Sequence, residues 1–181
     1  MPSMSEMFIK DARNFQKYGQ YDLAIESLHN AQIETLTCKQ KVEIQKLLSF
    51  NYRKLENYSM ALYHINNALS LSSNAELLQE EYAICLMNKG VVYEELGKNH
   101  EALDCYLSAF KIFNELFDSN PSKYGMLLNA FLSIGLLYYK MEDYSNAKIY
   151  FEKSIPYFDD DRENDRRYLM IINLLAELKT D

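Results

Sequence analysis

Apolar and polar residues follow a helical rather than a strand period along this chain, and the same pattern recurs four times. Its anchors are Ala24, Ala61, Ala102 and Ala147, each preceded by a short polar stretch such as Gly19-Gln20, Glu56-Asn57, Gly97-Lys98 or Glu142-Asp143. Nine residues before each alanine stands an aromatic (Phe15, Tyr52, Tyr93, Tyr138), and twelve before it a small residue (Ala12, Ser49, Gly90, Gly135). Four residues after it comes a large apolar side chain (Leu28, Ile65, Tyr106, Phe151), and seven after it a small one (Ala31, Ala68, Ala109, Ser154). Offsets of three, four and seven fall on one stripe of an α-helix.

Each copy therefore predicts two antiparallel helices, A and B, joined at the polar turn. The small residue before the turn and the alanine after it let the two backbones approach closely, while the aromatics fill the space around that contact. One hairpin cannot bury its stripe alone, so the copies are expected to stack as a solenoid.

The pattern resembles the tetratricopeptide repeat (TPR), most closely in the third copy: Gly90, Tyr93, Gly97, Ala102, Tyr106, Ala109. That copy has Asn99 where the others carry a tyrosine, and the tryptophan common near the start of helix A is replaced by Phe8, Gln45, Leu86 and Phe131. The resemblance implies an all-α helical-hairpin solenoid forming a single TPR domain over 1–181, with repeats near 5–36, 38–73, 75–119 and 121–158. The alanines lie 37, 41 and 45 residues apart rather than the usual 34 or so, excesses close to one, two and three helical turns. Ser72-Ser73-Asn74 and Ser119-Asn120-Pro121 then put helix A of the third copy at about Ala75 to Leu96 and carry its helix B to about Asp118. Pro156 should weaken the last helix B. Residues 162–179, with Tyr168, Ile171, Ile172, Leu175 and Leu178 on one face, read as a capping helix, the ninth helix in all.

Composition narrows the function. Lys and Arg number 19 against 26 Asp and Glu, a formal charge of −7, which argues against wholesale nucleic-acid binding. The charge is uneven: residues 1–60 carry eight basic and seven acidic groups, residues 61–181 eleven and nineteen. No apolar run approaches the ~20 residues of a membrane span, and the first residues lack a signal-peptide pattern. Three cysteines (Cys38, Cys85, Cys105) without a CxxC fit a reducing cytoplasm. The 15 tyrosines and 9 phenylalanines, with no tryptophan, fall largely at repeat positions.

No catalytic set emerges. His29, His64 and His100 have no ligand spacing, and no glycine-rich phosphate loop is present. Cys85 and Cys105, on the two helices of one copy, lack adjacent basic residues to activate them. The acidic run Asp159 to Asp165 lacks the glycine and glutamate of a calcium loop and reads as helix capping. No cofactor or metal is expected, and the chain reads as a non-enzymatic interaction module.

TPR proteins of known peptide complexes hold ligands in a concave groove lined by their A helices. Transferring those positions gives Arg13 and Lys17, then Lys46, Phe50, Arg53 and Lys54, then Asn88 and Val91, then Leu136 and Tyr139. Phe50, Val91 and Leu136 would anchor apolar groups, and an acidic and apolar segment of a partner protein would complement the basic first half. The carboxylate clamp of heat-shock co-chaperones is not reproduced, its positions being Ile9, Arg13, Leu47, Ile84 and Asn88. The alternative is the sensor half of a regulator similar to peptide-pheromone receptors of Gram-positive bacteria, with Asn88 and Asn129 as counterparts of their peptide-holding asparagines. A homodimer through the lengthened third-copy helices is also compatible with the pattern.

Overall fold

Ser3 opens the first helix with a capping box: its hydroxyl accepts from the Glu6 amide at 3.2 Å, and its own amide donates to the Glu6 carboxylate at 3.0 Å. Thr37 and Gln40 repeat the device at the third helix. The computed structural model describes residues 3–33, 36–73, 76–117, 124–158 and 165–178. Among them the helices are α1 (Met4–Lys17), α2 (Tyr21–Asn30), α3 (Cys38–Lys54), α4 (Tyr58–Ser72), α5 (Gln79–Glu95), α6 (Asn99–Phe117), α7 (Tyr124–Lys140), α8 (Tyr144–Ser154) and α9 (Arg166–Glu177). No strand occurs among the described residues.

The turns after α1, α3, α5 and α7 share one geometry. Gly19, Glu56, Gly97 and Glu142 all adopt positive φ, between 58° and 72°. In each, the next residue's amide reaches back to the aromatic that precedes the turn: Gln20 to Phe15 at 2.9 Å, Asn57 to Tyr52 at 2.8 Å, Lys98 to Tyr93 at 2.9 Å and Asp143 to Tyr138 at 3.0 Å. This left-handed closure satisfies carbonyls that the helix end leaves open. Asn57 and Asp143 then cap the following helix through their side chains, whereas Gln20 makes no side-chain cap.

Helix ends follow the sequence expectation with one correction. Among the described residues α6 extends to Phe117, a length of 19 residues. α8 stops at Ser154, and Pro156 sits in a single 3₁₀ turn, Ile155–Tyr157. Helix A of the third copy, expected from about Ala75, instead begins at Gln79 after a 3₁₀ turn at Glu76–Leu78. Leu78 is buried with Val42, Ile65, Ala68 and Cys85, and no side-chain cap starts the helix at that point. Ser119, Asn120, Pro121 and most of the acidic run 159–165 lie outside the described residues.

The chain divides into two compact units, one up to Lys98 and one from Asn99 onward. In the first, Ala12, Ala24, Leu28, Ala31, Ile44 and Leu48 are wholly buried and form one core with Ile9, packed about by Phe8, Phe15 and Tyr52. The small residues sit at the contacts where expected; the Ser49 hydroxyl donates to the Ala61 carbonyl at 2.9 Å, tying α3 to α4. Gln45, in place of a tryptophan, contacts His64 Nδ1 at 2.8 Å, and the His64 ring stacks on Tyr52 with centroids 5.2 Å apart.

The second unit explains much of the aromatic excess. Phe131 lies 4.8 Å from Phe110, 5.2 Å from Tyr157 and 6.2 Å from Tyr150, and Tyr138 stacks on Tyr150 at 5.7 Å. Such offset and edge contacts are the favourable arrangements of aromatic rings. α9 completes this unit as the expected cap: Ile171 and Leu175 are buried with Leu128, Leu132, Ala147 and Phe151. Asp165 caps α9, accepting from the Arg167 amide at 2.8 Å and pairing with the Arg167 guanidinium at 2.6 Å. Those bonds hold the Asp165 carboxyl below its ordinary value despite the opposing effect of desolvation.

Candidate partner-binding groove

Five of the groove positions expected from the sequence converge in the first unit. A small cavity of about 40 Å³ is lined by Lys46, Ser49, Phe50 and Arg53 of α3 and by Asn88, Val91 and Val92 of α5. Helical spacing produces this grouping: 46, 49, 50 and 53 share one face of α3, and 88, 91 and 92 share one face of α5. Ser49 and Val92 were not among the expected site residues; they are the buried floor beneath the expected ones. Asn88 is half-buried, and its amide makes no hydrogen bond among the described residues.

Phe50 is 37% exposed, and three groups touch its ring. Tyr21 meets it edge-on at 6.4 Å, while Arg53 and Lys54 lie 5.3 and 5.7 Å from its centroid. Cations over a ring face are attracted by its quadrupole, so the electron-rich face of Phe50 is already engaged.

The cations expected to steer an acidic guest have partners within the fold. Arg13 of α1 pairs with Glu43 of α3 at 2.5 Å. Lys46 of α3 pairs with Glu81 of α5, and Arg53 of α3 with Glu95 of α5. In each case the cation comes from one A helix and the carboxylate from the next. Three of the five expected cations are therefore neutralised within the fold, so the first half of the groove is less basic than the sequence alone suggests. These pairs join residues 30, 35 and 42 apart in sequence, and comparison of equivalent repeat positions does not bring them together. Lys17 and Lys54 are exposed and have no ion pair among the described residues.

The remaining two positions belong to the second unit. Leu136 of α7 is at the surface, 36% exposed. Tyr139 is half-buried, edge-on to Tyr144 at 5.4 Å, with its hydroxyl 3.5 Å from the Glu177 carboxylate of α9. Loss of water, with Glu177 and Tyr144 beside it, raises its phenol above the usual value. Tyr139 thus serves contacts to α8 and α9. Asn129 is likewise engaged: its side-chain oxygen accepts from Arg167 of α9 at 3.2 Å.

No group of three or more His, Cys, Asp and Glu among the described residues has a metal-holding arrangement. No helix, among the described residues, is long and apolar enough to cross a membrane.

Solved structures share this architecture. Aspartyl phosphate phosphatase F from Bacillus subtilis superposes with a TM-score of 0.82 at 20% identity, covering 96% of this chain and 45% of that one. The Rap conjugation gene regulator of plasmid pLS20, solved in complex with the Phr* peptide, gives 0.73 at 11% identity, covering 96% and 47%. A Podospora anserina protein with nearly identical TPR-like repeats gives 0.75 at 17% identity, covering 99% and 88%. This chain spans less than half the length of the first two, and the likeness establishes a TPR-like fold. No curated protein sequence matches the chain. The family model described as "Uncharacterized protein conserved in bacteria (DUF2225)" covers residues 11–172, most of the sequence, and the chain belongs to that family.

Proposed function

We propose that this protein is a non-enzymatic, cytoplasmic interaction module that captures a segment of a partner protein against the A helices of its first unit. The observation that carries this reading is the cavity between α3 and α5. It gathers Lys46, Phe50, Arg53, Asn88 and Val91 around one opening, with apolar groups flanking an amide that has no partner among the described residues. A few well-placed polar groups among apolar side chains are what a recognition pocket requires. The guest would bury a side chain against Phe50 and Val91 and offer its backbone to Asn88.

A displayed library of unstructured peptides, panned against the purified protein, tests this reading. Selected peptides should bind the wild type and lose at least about tenfold in affinity for Val91→Glu. Circular dichroism must show equal helicity for the variant. Peptides that bind both proteins equally would place recognition elsewhere and sink the proposal.

The structural likeness to a regulator solved with a peptide favours a second reading, in which the guest is a short free peptide rather than part of a larger protein. Thermal stabilisation by a synthetic short peptide equal to that produced by the same segment within a protein would support it.

A further inference from the structure

We propose that the α3–α5 cavity selects a short aliphatic side chain carried on an uncharged stretch of the partner, and discriminates against acidic segments. The inference rests on the interaction reading above and specifies its guest.

The cations an acidic guest would need are Lys46 and Arg53, and α5 has already supplied their counterions in Glu81 and Glu95. These are not freely solvated pairs: side-chain exposures are 19% and 21% for Lys46–Glu81, and 15% and 36% for Arg53–Glu95. An entering carboxylate would exchange one pair for another. It would leave Glu81 or Glu95 partly desolvated, without a partner and facing a like charge. Exposed Lys54 remains, but a pair made there would be a surface pair of small worth. A cationic guest fares no better, because Arg53 and Lys54 already occupy the Phe50 ring. Both cations that line the cavity already have counterions, whereas an apolar group has Phe50, Val91 and Val92. The cavity is small, near 40 Å³, which favours a short aliphatic group over an aromatic ring.

The test uses the library-selected peptides with three proteins: wild type, Val91→Glu and the double variant Glu81→Gln, Glu95→Gln. Wild-type binders should carry valine or isoleucine with no enrichment of Asp or Glu around it. Their affinity should change less than about threefold between roughly 50 and 500 mM salt, since no exposed charge pair forms. Freeing the two cations in the double variant should improve binding of an acidic derivative of the same peptide by about tenfold or more. If the double variant loses helicity, Glu95→Gln alone, at the more exposed pair, serves the same comparison. Wild-type binders rich in Asp and Glu and weakened by salt would overturn the selectivity while leaving the groove in use. Absence of binders, or binders indifferent to Val91→Glu, would overturn the interaction reading and this inference together.

Discussion

A Cβ placed on Gly135 would stand 2.6 Å from Cε1 of Phe151, so the hairpin of α7 and α8 closes around a missing methyl group. Phe151 is wholly buried and cannot swing into solvent without leaving the core it shares with Leu128, Ala147 and Ile171. Gly135→Ala should therefore destabilise the protein by about 2 kcal/mol through overpacking, even though alanine favours the helix. Chemical denaturation checks this. Combining it with Phe151→Leu should cost less than the two single losses added, because the smaller side chain removes the clash.

Glu56 and Glu142 occupy the left-handed position that Gly19 and Gly97 fill in the other turns. A side chain there costs about 1–2 kcal/mol of backbone strain, partly offset by the greater freedom glycine has when unfolded. Glu56→Gly and Glu142→Gly should each stabilise by about 0.5–1 kcal/mol, read as higher denaturation midpoints. The reverse change, Gly97→Glu, should destabilise by a similar amount.

His64 is 6% exposed, and its Nε2 has no hydrogen-bond partner among the described residues. Burial, with a smaller contribution from His29, pushes its imidazole down to about 4 from 6.5. Above about pH 6.5 both folded and unfolded forms are neutral, and the group does not affect stability. Between about 6.5 and about 4 the unfolded chain takes up a proton that the folded chain refuses, so stability falls with pH. Below about 4 both are protonated and the loss stops growing. Urea midpoints at about pH 7.5 and 5 should differ more for the wild type than for His64→Asn. Equal differences would contradict the assignment.

Cys38 is exposed and Cys85 wholly buried. Burial, reinforced by the Glu81 carboxylate, pushes the Cys85 thiol up to about 12 against the smaller lowering influences of Lys46 and Ser72, so almost no thiolate forms at neutral pH. A thiol reagent should modify Cys38 promptly and Cys85 only at the rate at which its surroundings open. Addition of denaturant should accelerate Cys85 alone of these two.

Much of the fold was legible because the repeat constrains local chemistry. The alanine–aromatic–small pattern located the close helix contacts, and Pro156 located the end of α8. Features built from distant residues were harder to see. The ion pairs Arg13–Glu43, Lys46–Glu81 and Arg53–Glu95 connect successive A helices, whereas repeat alignment compares equivalent positions rather than neighbours. That is why the groove read as basic. The packing role of Tyr139 was hidden for a related reason: its contact with Glu177 depends on how α9 docks, which no local spacing encodes. The late start of α5 followed from burial of Leu78, a tertiary demand that helix propensity does not report.

Binding of a partner segment at the cavity between α3 and α5 can be observed residue by residue. Solution NMR of the isotopically labelled protein, titrated with a selected peptide, addresses it directly. The Val91 and Val92 methyl signals and the Asn88 side-chain amide should shift first and furthest, with Tyr63 on the exposed side of α4 unaffected. Shifts concentrated on α4 or α2, with Val91 and Asn88 silent, would contradict it.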